Sequence, residues 1–284
     1  MRQRPAVLVP GLMAFGFAFL YVPILSMIGF SFNASRLVTV WDAAHSPTLK
    51  WYVELLRNTQ IIDAAMLSLK IAVMNATGST VLGTMAGFAL VRFGRFRGRG
   101  WLSALTTAPL VLPEIITGLS LLLLFVASEQ LIGWPDHRGV ATITIAHISF
   151  SMAYVAVVIQ ARLAGFDESL EEAALDLGAR PARVFLRITL PLIAPALLSG
   201  WLLSFTLSWD DVVISQFVAG PGSSTLPMVI FSKVRLGVSP DVNALATLMV
   251  TVVAIGVVLS SLFLQRREKR LADEMRLAQS AAAD

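Results

Sequence analysis

The chain has 284 residues, of which 56% are hydrophobic and only 14% charged, and its mean hydropathy is +0.74. Soluble domains carry about a quarter charged residues, so this composition reads as an all-α, polytopic membrane protein. It holds no cysteine, which excludes disulfides, zinc–thiolate sites and thiol nucleophiles, and its net charge of +4 reads as a matter of topology before nucleic-acid binding.

One crossing of the hydrocarbon core takes about 20 mostly apolar residues. Six stretches qualify as transmembrane helices: 7–31, 63–91, 101–127, 140–161, 190–218 and 243–264. The first follows Arg2 and Arg4 and lacks a small-residue cleavage pattern, so it reads as a retained helix. With the N-terminus inside, fifteen of the 22 basic residues fall on inner segments: Arg2 and Arg4, Arg92 to Arg99, Arg162 to Arg187, and Arg266 to Arg276. The positive-inside rule then puts both termini in the cytoplasm, together with the loop 162–191 and the tail 266–284. The alternating charges of that tail suit a solvated helix. Of the outer connections, 33–62 is long, polar and aromatic, and 129–139 is short. The segment 220–241 is loop-like, with Met228 to Val234 also compatible with an interfacial helix. These segments connect spans; they are also where a delivery protein would dock.

Pro109 to Gly118 (P-L-V-L-P-E-I-I-T-G) parallels Pro191 to Gly200 (P-L-I-A-P-A-L-L-S-G). The sequence before Pro109 has no copy of the charged pattern that precedes Pro191. The pair therefore reads as two proline-containing helix starts rather than a duplication.

Catalytic constellations are missing from the sequence. There is no G-x-x-x-x-G-K-[ST] phosphate loop, no H-E-x-x-H and no G-x-S-x-G, and His45, His137 and His147 are far apart. The chain therefore cannot by itself hydrolyse ATP in the phosphate-loop manner. Ionisable groups inside spans are costly and mark functional positions. Glu114 follows Pro113 near the middle of the third span, where a kink would free backbone carbonyls. Asp210 and Asp211 lie in the fifth, which is too long for one straight crossing and must tilt, break or protrude. Adjacent carboxylates focus potential on a cation, and Trp201 and Trp209 add ring faces for it. The competing reading makes Glu114 a protonated or paired acid, and the aspartates an outer helix end within an aromatic belt. His147 reads as a helix-packing hydrogen-bond donor, with a place on the cargo path as the alternative, and Lys70 as snorkelling or paired with an acid.

The strongest pattern runs from Ser169 to Pro191, S-L-E-E-A-A-L-D-L-G-A-R-P-A-R-V-F-L-R-I-T-L-P. Ser169 and Glu172 have capping-box spacing, and Leu170, Ala173, Ala174 and Leu177 form one apolar stripe at i, i+3, i+4 and i+7. Gly178 can end that helix in the left-handed conformation, and Pro181 can open the next. The expectation is two short helices around a glycine elbow, with a stripe that must lie against something else.

Glu172-Ala173-Ala174, Gly178, Ile188 and Leu190-Pro191 reproduce E-A-A-x3-G-x9-I-x-L-P, which resembles the EAA loop of bacterial ABC-importer permeases. Ser31 to Trp41, Leu90 to Gly98, Ala108 to Phe125 and Ser208 to Gly222 further resemble the polyamine-importer permeases of putrescine type. The resemblance implies a type I importer permease with the MetI-like fold. Its implied partners are a second, homologous permease, two cytoplasmic ATPase subunits and a periplasmic polyamine-binding protein. No cofactor would be bound by this chain, ATP and Mg belonging to the ATPase. Leu170, Glu172, Ala173, Ala174, Leu177, Gly178, Ile188 and Pro191 would then couple to that ATPase. Glu114, Trp201, Trp209, Asp210 and Asp211 would line the cargo path, with putrescine the implied cargo. The rival is a stand-alone proton- or sodium-coupled transporter of organic cations, which leaves the patterned loop without a purpose. A membrane enzyme lacks a nucleophile–base or metal set, and a structural anchor does not need buried carboxylates.

Overall fold

Apolar runs this long must satisfy their backbone internally, and helices do so. The computed structural model describes residues 8–37, 40–165, 167–237 and 240–255, and every regular element among them is helical. In chain order these are α1 (Leu8–Ser31), α2 (Lys50–Arg57), α3 (Thr59–Arg92), α4 (Arg99–Val111), α5 (Glu114–Ile132), α6 (Val140–Ala164) and α7 (Ser169–Asp176). There follow α8 (Pro181–Val184), a π turn (Phe185–Thr189), α9 (Leu190–Trp209), α10 (Val213–Val218), α11 (Leu226–Leu236) and α12 (Pro240–Ile255).

Among the described residues, five helices are long and apolar enough to cross a membrane: Val9–Ser31, Thr59–Arg92, Glu114–Ile132, Val140–Ala164 and Pro181–Trp209. The apolar stretch 243–264 lies partly in α12, and the remainder, like the tail 266–284, falls outside the described residues. Two expected spans are not single helices. The stretch 101–127 is cut between α4 and α5, because Pro113 drives Leu112 to ψ 135°, out of the helical region. The stretch 190–218 breaks after Trp209 and resumes as the six-residue α10.

The chain divides into two compact units, 1–59 with 233–284, and 60–232. In the first, the connection after α1 is more ordered than a loop. Trp51 and Leu55 of α2 are buried, and Trp51 Nε1 donates to the Asn33 carbonyl at 2.6 Å. Asn33 in turn donates to the Val40 carbonyl and accepts from the Asp42 N–H.

In the second unit α6 is the central post, with a dozen buried residues from Thr142 to Leu163. Small residues let its neighbours approach: a Cβ on Gly83 of α3 would stand 2.6 Å from Val155 Cβ and 2.7 Å from the Met152 carbonyl. On the other side Gly200 of α9 faces the same Val155. This is the small-residue packing used between membrane helices. Asn75 of α3 ties the three together, donating to Ser151 Oγ at 3.2 Å and to the Ser204 carbonyl at 2.7 Å.

Candidate functional site

The patterned loop forms an exposed helix on a defined joint. α7 starts at Ser169, one residue earlier in register than a Ser169 cap requires, and the capping box does not form. Asp167 accepts the Ser169 N–H at 3.0 Å instead, a local Asx turn that also holds the Asp167 carboxyl below its usual range. No residue of α7 is buried, and of its stripe Leu170 is 52% and Leu177 90% exposed. Glu172 and Ala173 are exposed too, while Ala174 is half-buried.

The helix ends in a Schellman motif. Gly178 N–H donates to the Leu175 carbonyl and Ala179 N–H to the Ala174 carbonyl, with Gly178 at φ +83°. Pro181 then opens the next helix, as its missing N–H favours. That second helix is not short. It runs through the π turn into α9, giving 29 continuous residues from Pro181 to Trp209. The π turn sits where Pro191, lacking an N–H, leaves the Arg187 carbonyl without its i+4 donor and crowds it, a misfit that a widened turn accommodates. Ile188 is half-buried inside this turn, and Pro191 is exposed at the start of α9.

At its far end α9 presents aromatic rings at i, i+4 and i+8, one face of a helix. Trp201 and Phe205 are 5.5 Å apart at 15°, Phe205 and Trp209 5.9 Å apart at 11°. Trp201 Nε1 donates to Thr77 Oγ1 of α3 at 3.3 Å. The ladder ends on Asp210, the exposed C-cap of α9.

The two aspartates have different surroundings. Asp211 is nearly buried, and its carboxylate accepts the N–H groups of Ile214 and Ser215 at 3.2 and 2.7 Å, fixing the start of α10. It also meets His147 Nε2 at 3.1 Å, while His147 Nδ1 lies 2.7 Å from Ser208 Oγ. The two ring nitrogens reach Asp211 and Ser208 at once, each with a hydrogen-bond partner. His147, 2% exposed, thus links α6 to the junction of α9 and α10. Glu114 is exposed in the first turn of α5, where a carboxylate also suits the helix dipole. No hydrogen bond or ion pair among the described residues joins it to Asp210 or Asp211. Lys70 lies exposed on α3.

Residues 79–273 match the family described as "Binding-protein-dependent transport system inner membrane component". The chain belongs to this family. It is 53% identical over 273 residues, 95% of this chain and 96% of the relative, to the putrescine transport system permease protein PotI of Escherichia coli (strain K12). It is 41% identical over 259 residues, 91% and 94%, to the spermidine/putrescine transport system permease protein PotC of the same organism. Among solved structures, a bacterial ABC transporter involved in alginate import matches with a TM-score of 0.71 at 17% identity, covering 92% of this chain and 98% of that one. The MetNI methionine ABC transporter matches with 0.57 at 15% identity, covering 71% and 92%. The chain is therefore a multi-pass inner-membrane protein with the MetI-like fold, and a permease subunit of an ABC importer.

Three groups of this permease escape sequence reasoning. Phe205, the middle rung of the ladder, was visible only as one more apolar residue. Glu171 hides beside the motif glutamate Glu172, yet it is Glu171 that meets Arg92 at 3.1 Å. Thr189 lies within the x position of the I-x-L-P end and is buried.

Proposed function

We propose that this permease moves a polyamine, putrescine first, into the cytoplasm, driven by a separate ATPase that docks on α7. The reading takes the chain as six spans with both termini cytoplasmic, 162–191 as the coupling loop and 266–284 as a cytoplasmic tail. A second permease would complete the pore, and a periplasmic polyamine-binding protein would deliver the cargo. ATP and Mg would be bound by the ATPase and no cofactor by this chain. The observation that carries the reading is the exposed apolar stripe of α7, joined through Gly178 to one continuous helix that ends at Asp210. A stripe left in water is favourable only if a partner covers it, in the manner of a helix laid in a groove. Leu170, Ala173 and Leu177 supply the apolar anchors, and Glu172, exposed beside them, a charge for the groove's rim. The substrate class rests on the two curated relatives, which are named for putrescine and spermidine transport.

On the cargo path, Asp210 is the free carboxylate. It is exposed at the C-cap of α9, next in the chain to Trp209, where the stacked rings of Trp201, Phe205 and Trp209 end, so a charge and ring faces for an ammonium group lie on the same helix end. Asp211 shapes that site from beneath by fixing the α9–α10 turn, and Glu114 serves as a second acidic station at the α4–α5 break. The stand-alone transporter gives α7 no role.

Purification from native membranes, with uptake of labelled putrescine, tests both halves. The wild-type chain should bring an ATPase with it, and Leu177→Glu should lose it. Asp210→Asn should keep the ATPase and lower putrescine uptake about tenfold, the equivalent of ~1.4 kcal/mol. Putrescine uptake by the purified chain alone would overturn the importer reading, and unchanged uptake in Asp210→Asn would remove that residue from the path.

A further inference from the structure

Arg92 ends α3 within the basic segment that charge counting assigns to topology, yet its side chain is only 9% exposed. Its guanidinium turns toward α7. Nη1 pairs with Glu168, and Nε lies 3.1 Å from Glu171 Oε2, a charge contact without the alignment of a hydrogen bond. The other oxygen of Glu171 accepts a 2.6 Å hydrogen bond from Thr189 Oγ1. Thr189 is buried and closes the π turn that leads into α9. One carboxylate, 13% exposed, thus joins the end of α3, the first turn of α7 and the π turn that leads into α9.

That junction matters because α7 buries no residue of its own, and the peptide leaving it bends at a glycine. An apolar contact would leave so short a helix free to rotate about its axis. A charge pair on one side and a directional hydrogen bond on the other fix that rotation. Phe185 in the π turn packs edge-on against Phe88 of α3, ring centroids 5.1 Å apart, so the receiving side of the joint is itself anchored.

We propose that Arg92, Glu171 and Thr189 form a latch that makes α7 one rigid body with α9 and the end of α3. A push on Leu170 and Leu177 then reaches Asp210 through the continuous helix instead of being absorbed at the Gly178 elbow. The latch rests on the reading of α7 as the ATPase-docking helix. These three are positioning residues: none faces the exposed stripe, and none lies near the ladder.

The test uses the assembled importer in vesicles, with its binding protein and Mg-ATP, and reads ATP hydrolysed per putrescine taken up. A residue needed only for folding lowers both quantities together; a latch changes their ratio. Glu171→Gln should retain the ATPase while the ratio rises about tenfold, within the range by which such residues alter coupling. Retention of the ATPase with an unchanged ratio overturns the latch and leaves docking intact. A wild-type chain that brings no ATPase overturns the docking reading and the latch with it. Should Glu171→Gln fail to assemble, Thr189→Val decides, because it keeps the ion pairs and cuts only the link to the π turn; a raised ratio supports the latch and an unchanged one overturns it.

Discussion

The two proline segments, Pro109 to Gly118 and Pro191 to Gly200, begin from nearly the same local chemistry and end in opposite structures. In each, the second proline lacks an N–H and leaves the carbonyl of the first without its helical partner. At Pro113 the chain yields: Leu112 goes extended, α4 stops and α5 restarts at Glu114. At Pro195 it does not, and the proline sits inside α9. The difference lies in what surrounds the backbone. Ile193, Ala196, Gly200, Ser204 and Ser208 bury one unbroken face of α9, which packs on α6. Between Thr106 and Gly118 no residue is buried, and a cavity of about 340 Å³ opens beside the break, lined by Pro109, Leu112, Phe150 and Met152 among others. Packing overrides a proline's local cost where it is continuous, and loses where it is interrupted. The same motif thereby continues as helix in one place and breaks in the other.

The severest way to break this arrangement is to disturb the platform on which α9 packs. Gly83→Leu forces a side chain into Val155 and the Met152 carbonyl, and a backbone oxygen has no rotamer by which to withdraw. Overpacking of this kind costs about 1–3 kcal/mol when side chains can yield, and more when backbone must move. The expected outcome is loss of folded protein from the membrane, read as detergent-resistant monodisperse material. Normal yield and normal uptake would show that α3 and α6 can separate without disturbing α9.

Much of this was legible in the sequence because it is local. Apolar runs of sufficient length marked where the long helices lie though not where two of them break, and Gly178 with Pro181 marked the elbow, since a left-handed residue and a missing N–H act wherever they stand. The apolar stripe of α7 follows from spacing alone, though its exposure does not. What the sequence could not carry was tertiary. Nothing in P-L-V-L-P against P-L-I-A-P says which proline will find a buried face. The two adjacent aspartates look alike until His147, 64 residues away, takes one of them. Arg92 looked like one more inner-face cation because Glu168 and Glu171 reach it only through the fold. The capping box failed for a nearer reason: Asp167 satisfied the Ser169 N–H first and moved the helix start by one residue.

A milder perturbation addresses the joint. Pro113→Ala restores the missing N–H and relieves Leu112 of the clash that drives it extended, a change in helix preference of about 3 kcal/mol at an interior position. α4 and α5 should then tend toward one helix, carrying Glu114 away from the break. Uptake should fall about tenfold or more, with the chain folded and its ATPase retained. Full uptake in this variant would mean that the break is an incidental bend and not a working joint.

The smallest effect should come from the matching change on the other side. In α9 the helix already passes Pro195, and Ser199 Oγ donates to the Pro195 carbonyl at 2.9 Å within regular helical geometry. Pro195→Ala therefore returns one N–H to a helix that already continues through this position, with Ile193 and Ala196 buried against α6. Thermal stability should rise slightly or stay level, and putrescine uptake should remain within about twofold of wild type, a difference of under ~0.5 kcal/mol. The pair of substitutions is informative as a pair. If Pro195→Ala damaged transport as deeply as Pro113→Ala, then α9 would be using its proline as a flexing point, and the view of α8 to α9 as a single stiff transmitter from Gly178 to Asp210 would have to be given up.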